Sequence, residues 1–329
     1  MPSSHPYDKL TPDTILDAVE ACGIPCSGSL LALNSYENRV YRIEKEDGGY
    51  VAAKFYRPDR WGDDTITEEH QFALELSEHE IPIVAPMVFA KDRTIHIHEG
   101  FRLALFPWQP GRAPELNHSE DRKLLGRYLG RLHTVGASGS FTHRISLTLE
   151  GFGKQSVKYL LSQNIIPDYL ETAYRSLAEL LLARLNETLL PLQNSQRFRL
   201  HGDCHLSNIL WTETGPHFVD LDDCLTGPAI QDIWMLLSGS RDDQQRQLAD
   251  LLQGYTQFRD FDPRELQLIE SLRTLRMLNY SAWLARRWQD PAFPRNFPWF
   301  NTIKYWEEQV LALREQQAAL EEPPLLWQP

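Results

Sequence analysis

His201-Gly202-Asp203-Cys204-His205-Leu206-Ser207-Asn208 is the stretch on which the reading of this chain turns. It follows an expected strand over 197–200 and precedes another over 209–211. Asp203 and Asn208 stand in a D-x-x-x-x-N spacing, which suits chemistry on an alcohol beside a metal ion. The carboxylate can accept or orient an acceptor hydroxyl, and the amide oxygen is a neutral ligand for magnesium. Taken alone, the run is equally compatible with an ordinary polar turn.

The next segment separates the two readings. His217-Phe218-Val219 forms an expected strand and delivers Asp220-Leu221-Asp222-Asp223 at its end. Magnesium favours one or two carboxylates together with phosphate oxygens and water, so Asn208 and Asp220 suffice as its protein ligands. The regular oxygen spacing and closing Glu of a calcium loop are absent. Asp203, Asn208 and Asp220 in this order are hard to explain as solvated turn residues.

Upstream, Lys54 lies on an expected strand over 50–56. Alternation puts Ala52, Lys54 and Tyr56 on one face and Val51, Ala53 and Phe55 on the other. A lysine in the middle of an apolar strand either snorkels to water or answers a buried negative charge. With Ala52 two residues before Lys54, the strand resembles the V-A-x-K form of kinases, which implies that Ala52 would leave room for an adenine ring and Lys54 would reach the α- and β-phosphates. On the following helix, expected over 65–76 and opened by a Thr65-x-x-Glu68 capping box, Ile66, Glu69, Phe72, Ala73 and Leu76 share a face. Glu69, near the centre of that stripe, needs a cation, and Lys54 is the obvious one. No G-x-G-x-x-G precedes Lys54. The corresponding turn reads Leu33-Asn34-Ser35-Tyr36-Glu37-Asn38, with Ser35 as the candidate ATP contact.

The rest of the chain is consistent with two lobes. Its 329 residues exceed what one core usually holds. A first helix begins at Thr11-Pro12-Asp13 and ends before Gly23. Residues 30–106 carry short β segments, among them 40–43, 94–98 and 101–106, with a hairpin signal at Asp47-Gly48-Gly49. Beyond Pro107-Trp108-Gln109-Pro110-Gly111 the pattern is helical, with apolar stripes at 124–132, 167–190 and 263–288. The expected class is α+β: a small antiparallel β-sheet lobe with one key helix over 1–107, and a larger, mainly helical lobe over 108–329.

The net charge of −12 argues against nucleic acid or an anionic membrane as partner. The four cysteines form no C-x-x-C pair, which points to a reducing compartment. Residues 1–10 are polar and unlike a signal peptide, and the most apolar run, 180–190, is broken by Arg184, Asn186 and Glu187. A soluble, cytoplasmic and monomeric protein is expected.

Together these residues resemble the aminoglycoside phosphotransferase/choline-kinase-like branch of the kinase superfamily. That branch carries H-G-D-x-x-x-x-N, a following strand ending in Asp, and a helix like Leu125-Gly126-Arg127-Tyr128-Leu129-Gly130-Arg131-Leu132-His133. Within it the chain is most similar to the bacterial stress response kinase A family. Asn34-Ser35-Tyr36-Glu37-Asn38-Arg39-Val40-Tyr41, Lys54-Phe55-Tyr56-Arg57-Pro58 and Asp290-Pro291-Ala292-Phe293-Pro294 look like its signatures. The resemblance implies a two-lobed, kinase-like fold and a cytoplasmic serine/threonine protein kinase using ATP and Mg2+, acting on a protein substrate or on itself. Asp203 would be the proton acceptor, Asn208 and Asp220 the magnesium ligands with Asp220 also catalytic, Lys54 the phosphate contact backed by Glu69, and Ser35 an ATP contact. Asp232 would buttress the catalytic loop.

Two departures bear on regulation. Gly202 replaces the Arg that senses a phosphorylated activation loop in protein kinases of the usual type. Between Asp220 and Asp232 there is almost no room for such a loop, and Thr226 is its only hydroxyl residue. Activity is therefore expected without activation-loop phosphorylation. Three other readings compete. A small-molecule kinase for an amino alcohol or sugar would use a pocket lined by tryptophans such as Trp283, Trp288 and Trp299. Gly202-Asp203-Cys204-His205 mimics one element of a metallophosphoesterase, but the further ordered His and Asp ligands are missing. A non-catalytic scaffold is disfavoured by retention of Lys54, Asp203, Asn208 and Asp220.

Overall fold

The computed structural model describes residues 6–189 and 196–328. Residues 1–5 of the polar N-terminal segment and residue 190 of the apolar run therefore lie outside the described residues. Helix α1 (Pro12–Glu20) starts at Thr11, whose hydroxyl accepts from the Thr14 amide at 3.2 Å. Strands β1 (Cys26–Ala32), β2 (Arg39–Lys45) and β3 (Tyr50–Phe55) follow, then helix α2 (Asp63–Glu78) and strands β4 (His96–His98) and β5 (Phe101–Pro107). The five strands form one antiparallel sheet in the order β1-β2-β3-β5-β4. Gly48 and Gly49 take φ of 91° and 76° in the β2–β3 turn, a region open to glycine and costly for other residues.

Period-2 alternation gives each face of the sheet its task. Val51, Ala53 and Phe55 join Ile15, Ala18 and Val19 of α1 in a closed apolar core. The opposite face, with Ala52 and Lys54, looks into the space between the lobes. Lys54 is paired in register with Val40 on β2 and Ala104 on β5, so its stem is held on both sides.

Helix α2 belongs to both lobes. Ile66 packs with Tyr56 and Ala104 under the sheet, while Phe72, Ala73 and Leu76 enter the core of the helical lobe. Full burial of a side chain such as Phe72 contributes about 2–3 kcal/mol. The start of α2 differs from the expected capping box. Its N-cap is Gly62, without a side-chain cap bond, and Thr65 already lies in the first turn. Glu68 turns away from the helix end to accept three backbone N–H groups of residues 142–144. Three charge-assisted tertiary bonds outweigh one local cap.

The helical lobe comprises α3 (Ser119–Gly136), α4 (Gln155–Ser162), α5 (Asp168–Leu189), strands β6 (Phe198–Leu200), β7 (Ile209–Thr212), β8 (Gly215–Phe218) and β9 (Leu225–Gly227), then α6 (Ile230–Trp234), α7 (Arg241–Tyr255), α8 (Ile269–Arg287), α9 (Ala292–Asn296) and α10 (Ile303–Ala319). The strands pair as β6 with β9 and β7 with β8. The expected helix over 263–288 is a 3₁₀ turn, Pro263–Leu268, followed by α8.

Glycines set the distance between α3 and α7. A Cβ on Gly126 would lie 2.0 Å from the Leu251 carbonyl oxygen, and one on Gly254 would lie 2.0 Å from that of Lys123. These backbones touch where side chains would keep them apart. Because α3 carries His133, which faces Asp232 beneath the His201–Gly202 turn, the contact also bears on the position of that turn. Gly126→Ala should lower stability by about 2–3 kcal/mol, read from denaturant melts. A loss below about 0.5 kcal/mol would mean that the helices separate without cost.

Candidate active site

The cleft between the lobes is a cavity of about 900 Å³. Its apolar end is formed by Leu33, Val40, Ala52, Phe106, Trp108 and Leu210, and its polar end by Asp203, Asn208 and Asp220. Ser35 also lines it, its hydroxyl donating to the Asn38 carbonyl at 3.0 Å.

Lys54 is buried, and three carboxylates converge on its ammonium. Glu69 Oε1 lies at 3.2 Å, Asp220 Oδ1 at 3.1 Å and Asp222 Oδ1 at 3.3 Å. Burial alone would favour the neutral amine, but Asp222, Glu69 and Asp220 reverse that and hold its pKa well above the usual lysine value. Lys54 therefore stays charged at any ordinary pH. Glu69 is supported from behind by the Tyr56 hydroxyl at 3.3 Å, which in turn contacts His70 Nε2 at 2.7 Å.

Asp203 accepts from Arg276 Nη1 at 2.7 Å on one oxygen and faces His205 Nε2 at 3.3 Å on the other. Burial opposes ionisation, yet His205 and Arg276 hold its carboxyl well below the usual carboxylate range. Asn208 spends its amide N–H on the Asp203 carbonyl at 3.0 Å, which leaves its amide oxygen for a cation. Asp220 sits in the left-handed region at φ 61°, uncommon for a residue other than glycine. More than half of its side chain is exposed to the cleft.

The loop bearing Asp203 is fixed from below. Asp232 accepts from the His201 amide at 2.9 Å and the Gly202 amide at 2.8 Å, and faces His133 Nε2 at 3.1 Å. Gly202 has φ 84°, and a Cβ there would meet the Asp223 carbonyl oxygen at 2.3 Å. The place of the usual phosphate-sensing Arg is therefore closed to any side chain.

The segments singled out as signatures meet in one network between the lobes. Asp290, at the start of its Pro/Phe-rich run, is buried and accepts from Arg57 Nη1 at 2.7 Å. Glu37 accepts from Trp283 Nε1 at 2.7 Å and is flanked by Arg57, Arg60 and Arg287. Arg60 bonds Asp222 and, at 2.6 Å, Asp223. Trp283 thus lines the cleft, whereas Trp288 packs against the second core of the helical lobe and Trp299 is partly exposed outside the cleft lining. Sequence reasoning missed Arg60 and Arg276 on the cleft wall, Arg144 beside Glu69, and the pairing of Asp222 with Lys54. Only Asp222, within Asp220-Leu221-Asp222-Asp223, carried a local signal.

A two-metal hydrolase needs a cluster of His and acidic ligands, and no group of three or more His, Cys, Asp or Glu suited to a metal occurs among the described residues. Residues 29–269 match the model of the phosphotransferase enzyme family. The chain belongs to that family. The chain is also similar along nearly its whole length to stress response kinase A of Escherichia coli O157:H7, at 45% identity over 98% of this chain and 97% of the relative. The serine/threonine protein kinase RdoA of Salmonella typhimurium is 44% identical over 97% and 96% of the two chains. These relatives place the phosphotransferase in the stress response kinase A group. In fold it is similar to an amicoumacin kinase solved in complex with AMP-PNP, Ca2+ and Ami, at TM-score 0.71, 19% identity and 93% coverage of each chain. A microcompartment-associated aminopropanol kinase follows at TM-score 0.66, 18% identity, and coverage of 92% and 97%. Among the described residues no helix is long and apolar enough to cross a membrane.

Lys54→Ala leaves Glu69 buried without its nearest cation, an arrangement that costs a few kcal/mol (about 3) unless the acid is protonated. Lys54→Ala should therefore melt earlier than the parent. Adding Glu69→Gln should recover part of the loss, the remainder belonging to Asp220 and Asp222. Additive effects in this cycle of denaturant melts without nucleotide would mean that the two side chains do not interact.

Proposed function

We propose that the chain transfers the γ-phosphoryl group of ATP, with magnesium, to a serine or threonine hydroxyl of a protein. The observation that carries this reading is the convergence of Lys54, Asp203, Asn208 and Asp220 on one cleft with an apolar end. In this reading adenine lies against Val40, Ala52 and Phe106. The lobes divide between residues 107 and 108, where β5 ends and Trp108 and Gln109 edge the cleft. Ser35, in the turn over the phosphates, contacts ATP. Lys54, held by Glu69, meets the α- and β-phosphates.

Asn208 and Asp220 would hold the magnesium ion. One carboxylate and one amide oxygen fit a cation that keeps several waters and takes the remaining ligands from phosphate. When bound, the ion neutralises charge on the transferring phosphoryl group. Asp203 then accepts a hydrogen bond from the acceptor hydroxyl and orients its oxygen. With its pKa held low it is a weak base at rest, which suits a loose transition state in which the proton leaves late. The hydroxyl enters where Arg276 or His205 now stands.

One point favours a protein acceptor over an amino alcohol or sugar: relatives similar to this chain in sequence include one named as a serine/threonine protein kinase. A site in the cytoplasm follows from the same reading.

Labelled ATP offered with protein acceptors and, separately, with amino alcohols and sugars decides the acceptor class. Label confined to the small molecules would overturn the protein kinase reading. Asp203→Asn should abolish transfer while MgATP affinity stays within about threefold. Asp220→Asn should weaken magnesium-dependent nucleotide binding as well as turnover, measured by calorimetry with and without the metal. An unchanged magnesium dependence would move the metal ligand to Asp222 or Asp223.

A further inference from the structure

Kinase-like sites depend on the helix that carries the carboxylate partner of the phosphate-binding lysine, because swinging that helix breaks the pair. Nothing in the sequence between Asp220 and Asp232 is long enough to hold α2 in the manner of an activation loop. The irregular segment between α3 and α4 sits where a holder is needed. Its amides at Thr142, His143 and Arg144 donate to the Glu68 carboxylate on α2 at 2.6, 2.8 and 2.8 Å. Arg144 is buried and spreads one guanidinium over several elements. Nε donates to the Cys224 carbonyl at 2.6 Å, Nη1 to the Thr65 carbonyl on α2 at 3.1 Å, and Nη2 to the Asp222 carbonyl. Nη1 also stands 3.7 Å from Glu69 Oε2. The segment then runs beside β9, where the Thr226 amide donates to the Ile145 carbonyl at 3.0 Å and the Leu147 amide to the Thr226 carbonyl at 2.9 Å.

We propose that residues 142–147 form a built-in clasp, with Arg144 as its positioning residue, that locks α2 against the Asp220–Cys224 loop and so keeps Lys54 and Glu69 paired without phosphorylation of the enzyme. The geometry suits the task. A planar guanidinium with its fixed fork of donors can satisfy carbonyls of α2 and of the metal-side loop together, which a lysine cannot. Glu68 supplies the second attachment from the helix side. Neither Arg144 nor Glu68 lines the cleft, whereas Ile145 and Leu147 of the segment do. Arg144 acts through Glu69 and through the backbone of Asp222, two residues after Asp220.

The effect on turnover rests on the kinase reading, whereas the effect on the Lys54–Glu69 pair does not, so the two are measured separately. In denaturant melts without nucleotide, the coupling between Lys54→Ala and Glu69→Gln should fall below about half its parental value in an Arg144→Ala background. In steady-state assays at saturating ATP and magnesium, Arg144→Ala should lose about ten- to hundredfold in kcat, as expected when a reacting group is displaced by an ångström. Ethylguanidinium should restore part of that loss, Arg144→Lys should not, and phosphatase treatment of the parent should leave its rate unchanged. Glu68→Gln, which removes charge and one acceptor oxygen but little volume, should show a several-fold loss of kcat. It carries the test if Arg144→Ala does not fold. Parental coupling in a folded Arg144→Ala, or in Glu68→Gln if that alone folds, would overturn the clasp, as would a phosphatase-treated parent that is inactive while the untreated parent turns over. An inactive parent with reduced coupling in the variants would instead overturn the kinase reading and leave the clasp standing.

Discussion

An ammonium group on the inner face of an antiparallel sheet has little water to hold it, and Lys54 is in that position. Its charge persists only because Glu69 from α2 and Asp220 and Asp222 from the loop after β8 surround it. Lys54 and these partners lie on three separate segments, so keeping one cation charged forces the sheet, the helix and the loop after β8 together. Pairing a buried charge seldom adds much net stability, but losing one partner is expensive. The arrangement therefore specifies geometry more than it strengthens the fold, and the cleft inherits its shape from it.

Two further layers stiffen this centre. Beneath the cleft, Asp232 takes two amides of the His201–Gly202 turn while His133 closes the group from α3. The glycine contacts between α3 and α7 set where His133 stands. Above the cleft, Arg57, Arg60 and Arg287 gather around Glu37, and Asp290 takes Arg57 and Arg39. The turn carrying Ser35 is tied in this way to the far end of α8. The acidic total of the chain thus coexists with a cleft whose acidic residues each face a Lys or Arg.

Burial also explains where the cysteines stand. Cys204 follows Asp203 and Cys224 follows Asp223, both fully buried, and burial pushes both thiols well above the usual value. Neither is poised as a thiolate nucleophile. All four cysteines are free among the described residues.

The sequence by itself determined what periodicity and local spacing can fix. Alternation on β3 placed Lys54 opposite the apolar face, and the helical stripe of α2 placed Glu69 inward, because periods of 2 and 3.6 assign faces without knowledge of the neighbour. The Asp203–Asn208 spacing and Asp220 after a strand were legible as local motifs, and Asp232 only through the resemblance. Tertiary structure alone decided the partners. Arg276 reaches Asp203 across 73 positions and Arg60 reaches Asp222 across 162, from segments whose own pattern marks nothing. Thr65 and Glu68 make the difference plain: locally they spell a cap, yet Glu68 leaves the helix end for three amides of another segment. A carboxylate goes where the most donors converge, and convergence is a property of the folded chain, not of its spacing.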